Sequence, residues 1–218
     1  MKKSINKLSL VIILVFFSCK KNTTQETTTV LNVDTVTTAK KEILEPKNNN
    51  FTSNISEFIP ANYSVLDTTS GDLNLDEIKD YILVLKKNGE DTLSNVNGDP
   101  ENRPLLILLG EGNNKLKLAK KNENTVYCFD CGGMMGDPFV GITIKNGYFS
   151  VEHYGGSSWR WSRIITYKYS KKDNEWFLHK DGSESFHASE PEVTESNIRT
   201  TKDFGQVKFE NFDIYKED

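Results

Sequence analysis

From about residue 55 onward the apolar residues of this chain recur mostly with period two, the mark of strands whose alternate side chains face opposite sides. Tyr81-Ile82-Leu83-Val84-Leu85 and Leu105-Leu106-Ile107-Leu108-Leu109 are uninterrupted apolar runs, the second opened by Pro104 and closed by Gly110. Each predicts a buried strand. Glu111-Gly112-Asn113-Asn114 predicts a turn, after which Lys115-Leu116-Lys117-Leu118 alternates as a half-exposed strand does. Phe139 to Ile144 and Tyr148 to Tyr154 predict two strands joined at Asn146-Gly147, residues that tolerate the positive φ of a type I′ hairpin turn. Further strands are expected at Trp159 to Tyr169 and Glu175 to His179, with Lys171-Lys172-Asp173-Asn174 turning between them. No long segment keeps a helical period; short helices are expected only near Ile55 to Phe58 and Glu192 to Ile198. The pattern predicts an all-β domain over residues 55–218, an antiparallel meander forming a sandwich or propeller-like blades, with the sandwich preferred.

Ahead of this domain the pattern changes. Leu8 to Phe17 is an apolar block preceded by Lys2, Lys3 and Lys7. It is too short to span a hydrocarbon core of about 30 Å, and it fits a secretory signal peptide over residues 1–18. Val15-Phe16-Phe17-Ser18-Cys19 resembles a lipobox, where bacterial signal peptidase II cuts before a cysteine that carries lipid. That resemblance implies a lipid-anchored protein of the bacterial cell envelope, with the lipid on Cys19 and the outer membrane as the expected address. An ordinary signal peptide with an incidental cysteine is the alternative. Residues 19–54 are dominated by Lys, Asn and Thr. They lack the apolar content to offset ordering, and they predict a flexible tether with a reach of roughly 30 Å.

The remaining composition suits one domain with a real core: the chain has 218 residues, 36% of them hydrophobic and 11% aromatic. The formal charge is −4, and the three leader lysines have no acidic neighbours, so removing the leader leaves about −7. A surface of that sign disfavours phosphate backbones, and nucleic acid is not an expected partner.

One segment has the spacing of an ion site. Gly71-Asp72-Leu73-Asn74-Leu75-Asp76-Glu77-Ile78-Lys79-Asp80 puts oxygen-bearing side chains at Asp72, Asn74, Asp76 and Asp80, with the carbonyl of Ile78 as a further candidate ligand. Calcium takes about six to eight hard oxygen ligands, and closely spaced side chains of one loop can converge on it. The segment is not an EF-hand, because Glu77 and Leu83 stand where the turn glycine and the bidentate glutamate belong. It resembles the DxDxDGxxD loops of integrin-α-like FG-GAP and VCBS repeats, with Glu77 replacing the glycine and the strand Tyr81 to Leu85 following at once. The resemblance implies calcium in a stabilising role. An acidic turn is the alternative, since Asp and Asn favour turns through their own hydrogen bonds. Phe58-Ile59-Pro60, Arg103-Pro104-Leu105, Cys131-Gly132-Gly133, Gly136-Asp137-Pro138-Phe139 and Gly156-Ser157-Ser158-Trp159-Arg160-Trp161 are, in that order around this loop, similar to a group of uncharacterised bacterial envelope lipoproteins. That likeness implies fold and address and brings no activity.

Cys128 and Cys131 are left once Cys19 is lipidated, and in an oxidising envelope they suit a local disulfide, with free thiols or metal and redox work as alternatives. Trp159, Trp161, Arg163, Ile165, Tyr167 and Tyr169 share one face of a regular strand. Trp159 and Trp161 there could stack a ligand, or the strip could be core. His153, His179 and His187 are scattered, and neither a nucleophile elbow nor a phosphate-binding glycine loop occurs. The expected role is non-enzymatic: binding or structural, calcium-stabilised, toward an envelope protein or glycan. An envelope hydrolase or glycan-binding module at Trp159 and Trp161 is the alternative.

Overall fold

Residues 55–93 and 100–216 are described by the computed structural model of the protein; the expected signal segment, Cys19 and the expected tether lie outside them. Among these residues two antiparallel sheets form, each pairing strands in chain order. The first contains β1 (Tyr63–Gly71), β2 (Asp80–Lys87), β3 (Leu105–Gly110) and β4 (Leu116–Asn122). The second contains β5 (Phe139–Lys145), β6 (Tyr148–Gly156), β7 (Trp159–Ser170), β8 (Glu175–His187) and β9 (Thr194–Thr200). The result is the expected meander, and it is a sandwich rather than a set of blades. No described helix is long and apolar enough to cross a membrane.

The apolar runs of β2 and β3 are continuous because both faces of that sheet are covered. Ile82, Val84, Leu105 and Ile107 face the main core, which they share with Phe149, Val151, Ile165, Tyr167, Trp176 and Leu178 of the second sheet. Tyr81, Leu83, Leu85, Leu106 and Leu108 face the other way, against Ile55, Phe58 and Ile59. The expected helix near Ile55 to Phe58 is a single turn, closed by the Phe58 N–H donating to the Ile55 carbonyl at 3.0 Å. Burying each Leu or Ile here stabilises the fold by roughly 1.5–3 kcal/mol. In the second sheet alternation is strict along β6, where Phe149, Val151, His153 and Gly155 are buried and the residues between them are half-exposed. Asn146 and Gly147, at φ 51° and 74°, make the two-residue turn before it.

Besides β1, which the apolar pattern does not predict, two strands depart from expectation. β8 does not stop at His179 but runs on to His187, through a stretch with no apolar alternation. The second departure corrects the helix expected at Glu192 to Ile198: Thr194–Thr200 is β9, an exposed edge strand whose pairing is supplied by β8. Its polar sequence carries no periodic signal, and the ladder fixes its conformation instead. A bulge sits in β8, where Tyr167 pairs with Leu178 and Thr166 with Lys180, leaving His179 as the extra residue. It changes the phase of β8, so Trp176 and Leu178 before it share a face with Asp181, Ser183 and Ser185 after it.

Candidate functional site

The β1–β2 connection is knit by its own acids. Asp72 accepts the N–H groups of Asp76 and Glu77, both at 3.1 Å, and Asp76 accepts the Ile78 N–H at 2.8 Å. Asn74 accepts the Asp76 N–H through Oδ1 and donates from Nδ2 to Asp76 Oδ2 at 2.8 Å. Asp80 is fully buried and accepts from the Leu73 N–H at 2.8 Å and the Gly110 N–H at 3.0 Å. Burial pushes the Asp80 carboxyl up in pKa against the pull of those two donors. Glu77 takes a left-handed conformation at φ 67°, one that glycine adopts without a Cβ penalty. Oxygens of Asp72, Asp76 and Asp80 come within 4.8 Å of one another. Lone pairs remain on these carboxylates, so the donor set fits a hard cation. Such a cluster is not enough to assign the loop to the FG-GAP class. The loop also joins the two sheets: Trp176 Nε1 donates to the Leu73 carbonyl at 3.3 Å and Lys171 Nζ to that of Leu75 at 3.1 Å.

The expected aromatic strip on β7 meets three different fates. Ile165 and Tyr167 are buried in the core. Trp159 is 59% exposed at the strand's start, its ring 5.2 Å from that of His187. Trp161 and Arg163 lie between, on the core face but in an open cleft of about 910 Å³. The ladder brings two rows of side chains to this cleft, Trp161–Ser185–Glu195 and Arg163–Ser183–Asn197, one residue each from β7, β8 and β9. Tyr127, Ile214 and Tyr215 line it as well.

Its floor is fixed by ionic and aromatic contacts. Arg163 grips Asp181 with two parallel hydrogen bonds, Nε to Oδ1 at 2.9 Å and Nη2 to Oδ2 at 2.8 Å. Burial works against the guanidinium charge, yet the Asp181 carboxylate and the Tyr127 hydroxyl hold the Arg163 pKa above its ordinary value. Tyr127 is held at three points. Its N–H donates to His153 Nε2 at 3.3 Å, its carbonyl accepts from Arg103 Nη1 at 3.4 Å, and its hydroxyl accepts from Arg163 Nη1 at 2.8 Å. Arg103 is itself buried between Glu90 and Asp137, forking onto both carboxylates. Tyr215 accepts the Cys128 N–H at 2.8 Å, and Cys128 and Cys131 are joined by a disulfide. The Tyr215 hydroxyl is pushed up to about 12, by burial first.

No protein-family model matches this chain, and no curated protein matches it either.

The histidines do not assemble a hydrolytic centre. Burial foremost, with the charges of Arg163 and Arg103, drives the pKa of His153 down to about 3. His187 Nδ1 lies 2.7 Å from Ser189 Oγ, but this pair sits in an exposed turn two residues long. His179 packs on Tyr148, with ring centroids 5.3 Å apart. Sequence reasoning singled out Trp161 and missed Tyr127, Asp181, Ser183, Ser185, Glu195, Asn197 and Tyr215. The residues of β8 and β9 carried no signal, because only the ladder register brings them beneath Trp161.

Proposed function

We propose that this chain is a non-enzymatic binding protein of the bacterial cell envelope, anchored by lipid on Cys19, which takes its ligand in the cleft above Trp161 and Arg163. The observation that carries this reading is a sheet face that begins as core at Ile165 and Tyr167 and continues as an open, polar, aromatic-lined surface. Concave sites with a few convergent polar groups are where small ligands bind. A binding role is favoured over hydrolysis because the cleft's buried carboxylate, Asp181, already spends both oxygens on Arg163. That leaves it poorly placed to act as a base or acid. Calcium at Asp72, Asp76 and Asp80 belongs to the same reading as a stabiliser of the sandwich, consistent with the loop's bonds to both sheets.

Two measurements test it. Cys19→Ser should move the protein from the membrane fraction to the soluble one, and retention in the membrane would sink the anchor. Incubating the chain with oligosaccharide and peptide probes should leave every probe intact; turnover of any of them that Trp161→Ala abolishes would make the cleft an active site instead.

A further inference from the structure

We infer that the cleft's ligand is a neutral polyhydroxylated chain, an oligosaccharide, seated on the indole of Trp161 with its rim hydroxyls held by the serine rows of β8; this rests on the binding reading above.

Three observations lead there. The first is how Trp161 is held. Its cross-strand partner is Gly155, and a Cβ placed on that glycine would lie 2.6 Å from Cζ2 and 2.8 Å from Cε2 of the indole. The ring therefore lies against bare backbone, and the Tyr127 ring meets it at 70° with centroids 5.6 Å apart. An indole fixed on one side and lining a cleft offers a flat apolar surface at little entropic cost. The C–H face of a pyranose ring matches such a surface.

The second is what surrounds the indole. Ser185 and Glu195 continue its row, and Ser183 and Asn197 occupy the row beside it. Serine and asparagine side chains both donate and accept, and a carboxylate accepts twice. A sugar hydroxyl also donates and accepts, so a ring stacked on Trp161 would present its equatorial hydroxyls sideways to these groups.

The third is charge. Arg163, Arg199 and Lys216 are balanced by Asp181, Glu184 and Glu195 among the described lining residues. A balanced lining gives no long-range pull on a phosphate or a polyanionic chain. The volume of about 910 Å³ lies near the top of the range of about 300–1,000 Å³ for ligand clefts, which suits several linked rings rather than one.

The experiment is titration of the full chain with chitohexaose, cellohexaose and maltohexaose, read by calorimetry and tryptophan fluorescence. Hexalysine and hexaglutamate are run alongside. Saturable binding of at least one sugar is expected, unchanged within about twofold between low and high salt. Trp161→Ala should weaken it at least tenfold, Trp161→Tyr should recover part of that loss, and Trp159→Ala should leave it unchanged. If Trp161→Ala fails to fold, Ser185→Ala takes its place, with a loss of threefold or more expected. Binding that falls steeply with salt overturns the neutral ligand. A Trp161-dependent response to a charged peptide with none to the sugars rejects the oligosaccharide and leaves the binding cleft standing. Silence toward all the probes rejects both.

Discussion

The indole of Trp161 on β7 lies across Gly155 on β6, in the space that any other residue's Cβ would fill. A missing side chain on one strand thus sets the attitude of an aromatic ring on the next.

Gly155→Ala should force that ring to move, because the new methyl would also come within 3.0 Å of Gly132 Cα. Overpacking of this kind costs about 1–3 kcal/mol. Urea unfolding should record that loss, together with a shift in tryptophan emission. An unchanged emission spectrum would contradict the packing described for Trp161.

Asp181→Asn should remove the charge that faces Arg163. The guanidinium would then stay half-buried with an incomplete set of acceptors, at a cost of about 1.5–3 kcal/mol. A double-mutant cycle with Arg163→Met checks the coupling, and additive losses would argue against a specific pair.

The stability of the domain should carry the signature of His153. Its pKa falls from 6.5 when unfolded to about 3 in the fold, through burial and the charges of Arg163 and Arg103, with Asp137 opposing. The unfolded chain therefore binds the proton first as pH drops. The contribution is fully present above about pH 6.5 and is lost progressively as pH falls toward 3, with a slope of about 1.4 kcal/mol per pH unit. His153→Phe should flatten the difference between denaturation curves at pH 7 and pH 5. If both proteins lose the same stability over that interval, His153 is not the titrating group.

Calcium in the millimolar range should raise the melting temperature relative to EDTA, and Asp76→Ala should abolish that response. At a hundredfold excess over Kd the gain is about 2.7 kcal/mol. Glu77→Gly should raise stability by about 0.5–1 kcal/mol even without an ion, since it relieves a left-handed glutamate at the price of a looser unfolded chain. An identical melting temperature with and without calcium would reduce the loop to an acidic turn that ties the sheets together.

How much of this was legible beforehand follows from where hydrophobic signals lie. β2, β3, β5 and β6 could be read because burial writes itself into apolar runs and alternation, and the Asn146-Gly147 turn because two positive φ values demand those residues. β1 and β9 could not: half-exposed Tyr63–Gly71 and exposed Thr194–Thr200 owe their extended form to partner strands. The far half of β8 was hidden for a subtler reason. The bulge at His179 breaks the period just where polar residues begin, so Asp181, Ser183 and Ser185 look like loop. The cleft was hidden with them. Trp161 was visible as a residue, but its neighbours are neighbours only through register.

That bulge makes the cleft a matter of counting. Drawing His179 into an even ladder, with no bulge, would turn the strand beyond it inside out. Lys180, Gly182 and Glu184 would face Trp161 and Arg163, and Asp181, Ser183 and Ser185 would face outward. The same amino acids, slipped by one position, would present a different lining. Ligand preference in this sheet is therefore carried as a reading frame as well as an alphabet, and a one-residue slip in register changes it more than any single substitution.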